Sequence, residues 1–217
     1  MLTSQDRTVP DSLDVLEQIA PLSLRHIGFK DIGADAATLR ALNAGIKAMG
    51  AESYLEVVAT SPEAALNSAR IAAEIGVDHL LGGTQVHETL ALLRGTETRY
   101  YPFPGTPIGH PTKLGGDEAQ IAAHIVDFIA QGCAGVDLLA YRAIDADPLA
   151  LVRAARVACG ARNKLICAGG VDGPARIAAL RAAGADAFTV GSAVFDGSFA
   201  PGAGGIVVQL REILSCV

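Results

Sequence analysis

No apolar run in this chain reaches the roughly 18 residues needed to cross a bilayer, so no segment reads as a membrane-spanning helix. The opening residues lack the charged, apolar and small-residue pattern of a signal peptide, so the expected location is cytoplasmic. Lysine and arginine form no cluster. Seventeen of them stand against 23 Asp and Glu, for a net charge of −6. That balance argues against nucleic acid or an anionic membrane as partner. Cysteine is sparse and scattered: Cys133, Cys159, Cys167 and Cys216 form no C-x-x-C pair and read as reduced thiols. The histidines show no H-x-H or H-x-x-x-H spacing, and no dedicated metal site is expected. No Pro/Gly/Ser-rich linker divides the chain, which points to a single domain over residues 1–217.

What is present is apolar. Half of the residues are hydrophobic, 18% are charged, and the mean hydropathy is +0.35. This is ample for a sizeable core and leaves an excess that suits a subunit interface, so a homo-oligomer is expected. Short apolar runs alternate with longer segments of helical period. The runs are 1–4, 24–29, 54–59, 78–81, 99–103, 136–141, 164–168 and 187–190. Met1–Ser4 opens so abruptly that a start upstream of residue 1 is the expectation. Helical segments follow each run, with Pro62 at a first helical position and Gly50 and Gly76 closing helices. Strict alternation implies a parallel sheet, and eight units imply an α/β chain folded as a single (β/α)8 barrel. The rival is an open doubly wound sheet, but no G-x-G-x-x-G follows the first strand. Gly76-Val77-Asp78, Gly135-Val136-Asp137 and Gly184-Ala185-Asp186 form an echo. In each, Gly is expected to end a helix and Asp to bond the turn at the barrel's stability face.

In a barrel the active site lies at the C-terminal ends of the strands. There the seventh strand runs into Gly169-Gly170 and the eighth into Gly191-Ser192. Glycine lets backbone amides approach an anion, and a short helix after Ser192 would add its N-terminal donors. A phosphate site after strands 7 and 8, made by Gly169, Gly170, Gly191 and Ser192, is expected. The segments Ala168-Gly169-Gly170-Val171 and Ala182 to Val194 resemble the last two units of the ribulose-phosphate-binding barrels. That superfamily includes N-acylglucosamine-6-phosphate 2-epimerases and 3-keto-gulonate-6-phosphate decarboxylases. Upstream, Ile27-Gly28-Phe29-Lys30-Asp31 resembles the epimerases' strand ending in a catalytic Lys. Glu56 to Ala65 resembles their strand that ends in a catalytic Asp and enters a helix. The resemblance implies a small phosphorylated sugar or sugar acid as substrate and an enediolate intermediate. Epimerase or isomerase stands first, phosphosugar aldolase or decarboxylase second. A non-catalytic phospho-ligand barrel is a further alternative, and so is a flavin-binding barrel.

Lys30 and Asp31 end the second strand, so one of them is expected to face the barrel mouth. Lys30 could polarise a carbonyl, act as a base if its pKa is lowered, or form a Schiff base. Glu56 sits inside an apolar run and needs a buried partner, for which Lys30 on the neighbouring strand is the natural choice. A Lys30–Glu56 pair, with Asp31 as alternate, is the expected acid/base centre, with its pKa values drawn toward neutrality. Asp6 and Arg142 fall at the same rim as substrate contacts. The long loop Pro104–Gly116 has the glycines of a mobile lid, with His110 and Lys113 as further contacts. No cofactor is expected. A Mg²⁺ held by Glu56 or Asp31 and water is the one metal these residues leave open.

Overall fold

In the computed structural model, which describes residues 1–217, the apolar runs form parallel strands and the Ala- and Leu-rich segments form helices. The first half contains β1 (Thr3–Ser4), β2 (Arg7–Thr8), α1 (Ser12–Ile19), β3 (His26–Lys30), α2 (Ala36–Ala48) and β4 (Glu52–Val57). It continues through α3 (Pro62–Ile75), β5 (His79–Gly82), α4 (Val86–Leu92) and β6 (Arg99–Tyr101). Next come β7 (Thr106–Ile108), β8 (Lys113–Gly115), α5 (Glu118–Gln131), β9 (Gly135–Leu138) and α6 (Pro148–Cys159). The chain ends with β10 (Lys164–Cys167), α7 (Pro174–Ala183), β11 (Ala187–Phe188), α8 (Ser192–Phe195) and α9 (Ile206–Leu214). No helix is long and apolar enough to cross a membrane.

The helix boundaries follow from capping chemistry. Asp35, Ser61, Asp117 and Asp147 each accept a bond from the amide three residues on. Pro62, Pro148 and Pro174 take the first helical position. Gly76, Gly132 and Gly184 end α3, α5 and α7 in the left-handed conformation that a side chain would disfavour.

Parallel ladders run β3-β4-β5-β6 and β9-β10-β11. Ala134 N donates to Tyr100 O and Asp137 N to Pro102 O, each at 3.0 Å, joining β6 to β9. Met1–Thr3 fills the remaining gap: Met1 N donates to Val190 O at 2.9 Å and Leu2 N to Gly28 O at 2.6 Å. Residues 1–3 therefore complete the ring as its eighth staff. The labelled strand β1 itself turns back to pair antiparallel with β2, which the sequence reading did not include.

Outward-facing strand residues such as Phe29, Leu55, Leu80 and Leu165 join one apolar cluster with the helices. Inside the barrel the pattern differs. Leu81, Tyr101 and Ile166 form a small apolar plug, with Tyr54 and Ala187 against it. Above the plug lie Lys30, Glu56 and Asp137, all buried. Below it His79 stacks on Tyr54 at 4.1 Å and bonds Glu52 at 2.8 Å.

Two expectations are corrected. Asp78 and Asp186 do bond the stability-face turns, at Ser53 N and Leu165 N. Asp137 does not. The glycine that ends α5 is Gly132, three residues before Gly135, so Ala134 takes the turn position and Asp137 falls inside β9. The stretch 104–116 is not an open loop either. It contains the antiparallel hairpin β7–β8, with Leu114 fully buried.

Candidate functional site

The polar cluster is assembled at the C-terminal ends of the strands. The β1–β2 hairpin turns at Gln5 and Asp6, both in the left-handed region with φ of 48° and 61°. Such a turn matches the twist of the strands, and Asp tolerates it well. It carries the Asp6 carboxylate over the barrel interior. From β2, the Thr8 hydroxyl donates to Lys30 O and accepts from Lys30 N, each at 2.8 Å. This fixes the end of β3. Lys30 Nζ then lies 2.8 Å from Asp6 Oδ1 and 3.0 Å from Glu56 Oε1. Register explains the second contact, since Lys30 and Glu56 are direct partners across β3 and β4.

Arg142 enters from the turn after β9. It grips Asp6 with both terminal nitrogens, Nη2 lying 2.6 Å from Oδ1. The same guanidinium donates to Thr112 O at 2.9 Å, and Thr112 N donates to Asp6 Oδ2 at 2.7 Å. Asp6 thus latches the β7–β8 hairpin over the mouth. Arg142 is committed to this latch rather than to an open anion site. Asp137 is fully buried, and neither carboxyl oxygen has a hydrogen-bond partner.

Charge follows geometry. Burial disfavours the Asp6 anion, but hydrogen bonds from Arg142 and Lys30 outweigh it and hold this carboxyl well below the usual range. Burial likewise opposes the Lys30 ammonium, but the Glu56 and Asp6 carboxylates outweigh it and raise its pKa. Lys30 is therefore a firm cation. The expected drift toward neutrality is corrected, because two carboxylates, not one, face it. Asp137 moves the other way: burial, reinforced by the Glu56 charge, pushes it well above the usual carboxylate range.

Asp31, the alternate acid/base residue, is turned away from the mouth. Its oxygens accept from Val58 N at 2.9 Å and Ser68 Oγ at 2.8 Å, tying β4 and α3 together. Strand alternation sends Lys30 inward and Asp31 outward. His110 and Lys113 are exposed on the hairpin, and Lys113 alternates with the inward-facing Thr112 and Leu114. Neither joins the cluster. Asp137 lies in the buried interior beside Lys30 and Glu56, where the sequence pattern did not place it. Its signal was a lone Asp well inside an apolar run that begins after the true helix end at Gly132. No three His, Cys, Asp or Glu side chains converge on a common point, and Glu56 and Asp31 are both engaged. These residues do not fit the Mg²⁺ site.

Gly169 and Gly170 are left-handed, with φ of 74° and 72°. The amides of Gly169, Gly170 and Gly191 find no acceptor within the chain. A Cβ on Gly191 would stand 2.6 Å from Thr3 Oγ1, and one on Gly169 would strike the Arg142 side chain. Ser192 opens α8, and its hydroxyl accepts from Gln5 N at 2.9 Å. Across the mouth, under the loops after β4, β5 and β6, lies a cavity of about 310 Å³. Thr60, Ser61, Thr84, Gln85 and Thr112 line it, and the Thr112 hydroxyl is buried without a partner.

No protein-family profile matches the chain, and no curated protein does. Solved structures do. Orotidine 5′-phosphate decarboxylase from Pyrococcus horikoshii superposes with a TM-score of 0.67 at 12% identity, covering 98% of this chain and 96% of that one. An aldolase gives 0.66 at 13% identity, covering 99% and 97%. Mandelate oxidase gives 0.66 at 13% identity, covering 99% of this chain and 71% of that one. The fold is a (β/α)8 barrel. At such identities the likeness concerns the barrel alone. The chemistry must be argued from Lys30, Glu56, Asp6, Asp137 and Arg142.

Proposed function

We propose that this barrel is an enzyme that moves a proton at the carbon beside a carbonyl of a small phosphorylated sugar or sugar acid, as an epimerase or isomerase. The observation that carries the reading is the Lys30 ammonium, 3.0 Å from Glu56, with Asp137, whose pKa burial raises, in the same interior. An enediolate needs a cation at the oxygen that gains charge, a base for the carbon-bound proton and an acid to return one. Glu56 takes the proton from carbon, and the electron pair passes to the carbonyl oxygen. Lys30 stabilises that oxygen, and the Asp137 carboxyl delivers a proton to carbon. Exchange with water resets the two carboxyls after product leaves. A Schiff base would need a neutral lysine, so the raised pKa of Lys30 weighs against an imine-forming aldolase.

The free amides at Gly169, Gly170 and Gly191, with Ser192, are the proposed phosphate handle. The hydroxyl-lined cavity opposite would take the uncharged end of the substrate. A substrate spanning the mouth places its middle carbons over Lys30, and its entry lifts the Asp6–Thr112 latch. The barrel is also proposed to pair with itself, because Val126 on α5 and Val157 on α6 are 58% and 84% exposed.

The test combines stability and turnover. At 100 times its Kd a ligand adds roughly 2.7 kcal/mol of stability. Phosphorylated sugars are expected to raise the melting temperature where their dephosphorylated forms do not. A stabilising compound should exchange its carbon-bound hydrogen with solvent deuterium. Lys30→Met is expected to abolish exchange while retaining the thermal response. Exchange that persists in the variant would remove the lysine from the mechanism. Indifference to every phosphorylated compound would remove the handle.

A further inference from the structure

A cavity of about 670 Å³ lies at the opposite end of the barrel from Lys30. It begins inside the barrel at Tyr54 and Ile166 and extends outward beneath α7 and α9. Its walls are aliphatic, with Leu180 from α7 and Ile206, Leu210 and Ile213 from α9. The only buried side chain of α9 is Gln209; Ile206, Leu210 and Ile213 are half-buried, touching the core on one side and the cavity on the other. The volume is in the usual range for small-molecule sites, roughly 300–1,000 Å³.

The rim carries three cations, Arg25, Lys164 and Arg181, beside the carboxylate of Asp186. Arg25 immediately precedes β3, Lys164 begins β10 and Arg181 lies in the last turn of α7, which places all three at the N-terminal ends of the strands. None of them forms an ion pair, and Arg181 donates only to Cys216 O at 2.9 Å. The carboxylates nearby are already engaged. Asp186 is bound by Arg156 at 2.7 Å and by Leu165 N, and Glu52 by His79 at 2.8 Å. An aliphatic chamber edged by unpaired cations matches an anionic head on an apolar chain.

We propose that this cavity binds a free aliphatic monocarboxylate, its carboxylate held at Arg25 and Lys164 and its chain running beneath α9. The site is separate from the proposed catalytic centre and does not depend on that reading.

Titration calorimetry on the intact protein, with octanoate, decanoate and dodecanoate below their micelle concentrations, tests this. Affinity is expected to tighten about fourfold per methylene, the fold-change equivalent to about 0.8 kcal/mol per buried CH₂. Decanol should bind at least about tenfold more weakly than decanoate, the loss of roughly one charge-assisted contact. The double variant Arg25→Gln, Lys164→Gln should weaken decanoate by a similar factor, leave decanol unchanged and melt like the wild type. Heat from decanol or decylamine equal to that from decanoate would overturn the proposal, as would wild-type decanoate affinity in the double variant. So would absence of binding, whether the protein instead sediments with phosphatidylglycerol vesicles or buries this face in a dimer.

Discussion

Burying a carboxyl group without a hydrogen-bond partner is costly, and it is less so when the group keeps its proton. Asp137 is such a case. Its folded pKa lies above its unfolded value, so both states hold the proton below the ordinary carboxylate range. Above that range only the native state keeps it. Stability therefore declines as pH rises, by about 1.4 kcal/mol per unit, until the folded pKa is passed. Asp137→Asn is expected to remove that slope in urea titrations begun above the ordinary carboxylate range, and an unchanged slope would mean an ionised Asp137. Asp6 acts in the opposite sense. Its depressed pKa lends stability above the ordinary carboxylate range that is lost as pH falls through it to the folded value. Asp31 differs from both, because its partners are Val58 N and Ser68 rather than the mouth. Asp31→Ala should lower stability by about 1–3 kcal/mol, the cost of stranding those donors, while kcat holds. A large kcat loss with stability intact would return Asp31 to the chemistry.

Elements in this barrel act through the turns that join them. The hairpin β7–β8 is held down by one carboxylate, Asp6, and one guanidinium, Arg142. Lysine cannot reproduce the two-pronged grip of arginine on a carboxylate. Arg142→Lys is expected to speed amide hydrogen exchange across residues 106–115, and mass spectrometry would localise the change. Equal exchange would show that the buried Leu114 alone seats the hairpin. The turn before α8 is constrained by space. Gly191→Ala drives a methyl group to 2.6 Å from Thr3 Oγ1, so Thr3 or α8 must move. The stabilisation by phosphorylated sugars should then disappear although the barrel still melts cooperatively. A full response would place the phosphate elsewhere.

The whole molecule depends on ring closure. Residues 1–3 seal the barrel against β3 on one side and Val190 on the other, so the first and last units share one core. Tyr100 and Tyr101 are buried while the helices lie outside, so tyrosine fluorescence and far-ultraviolet circular dichroism sample different layers. The two signals are expected to trace one coincident transition in urea. Separated midpoints would show that half of the barrel unfolds alone.

Local pattern carried the elements. Alternating apolar runs, prolines at helix starts and glycines at helix ends encode βα units through backbone geometry that each short segment expresses by itself. Lys30 and Glu56 were legible as partners for a related reason, since adjacent parallel strands in register bring them together. Other features arise between distant parts of the chain. Asp6 meets Arg142 and Thr112 across sequence separations of 136 and 106 residues, and no local period contains that information. The inward turn of Lys30 rather than Asp31 is likewise decided between strands. Strand alternation has two equivalent phases, and the choice between them is made only when the ring closes and one face becomes the inside.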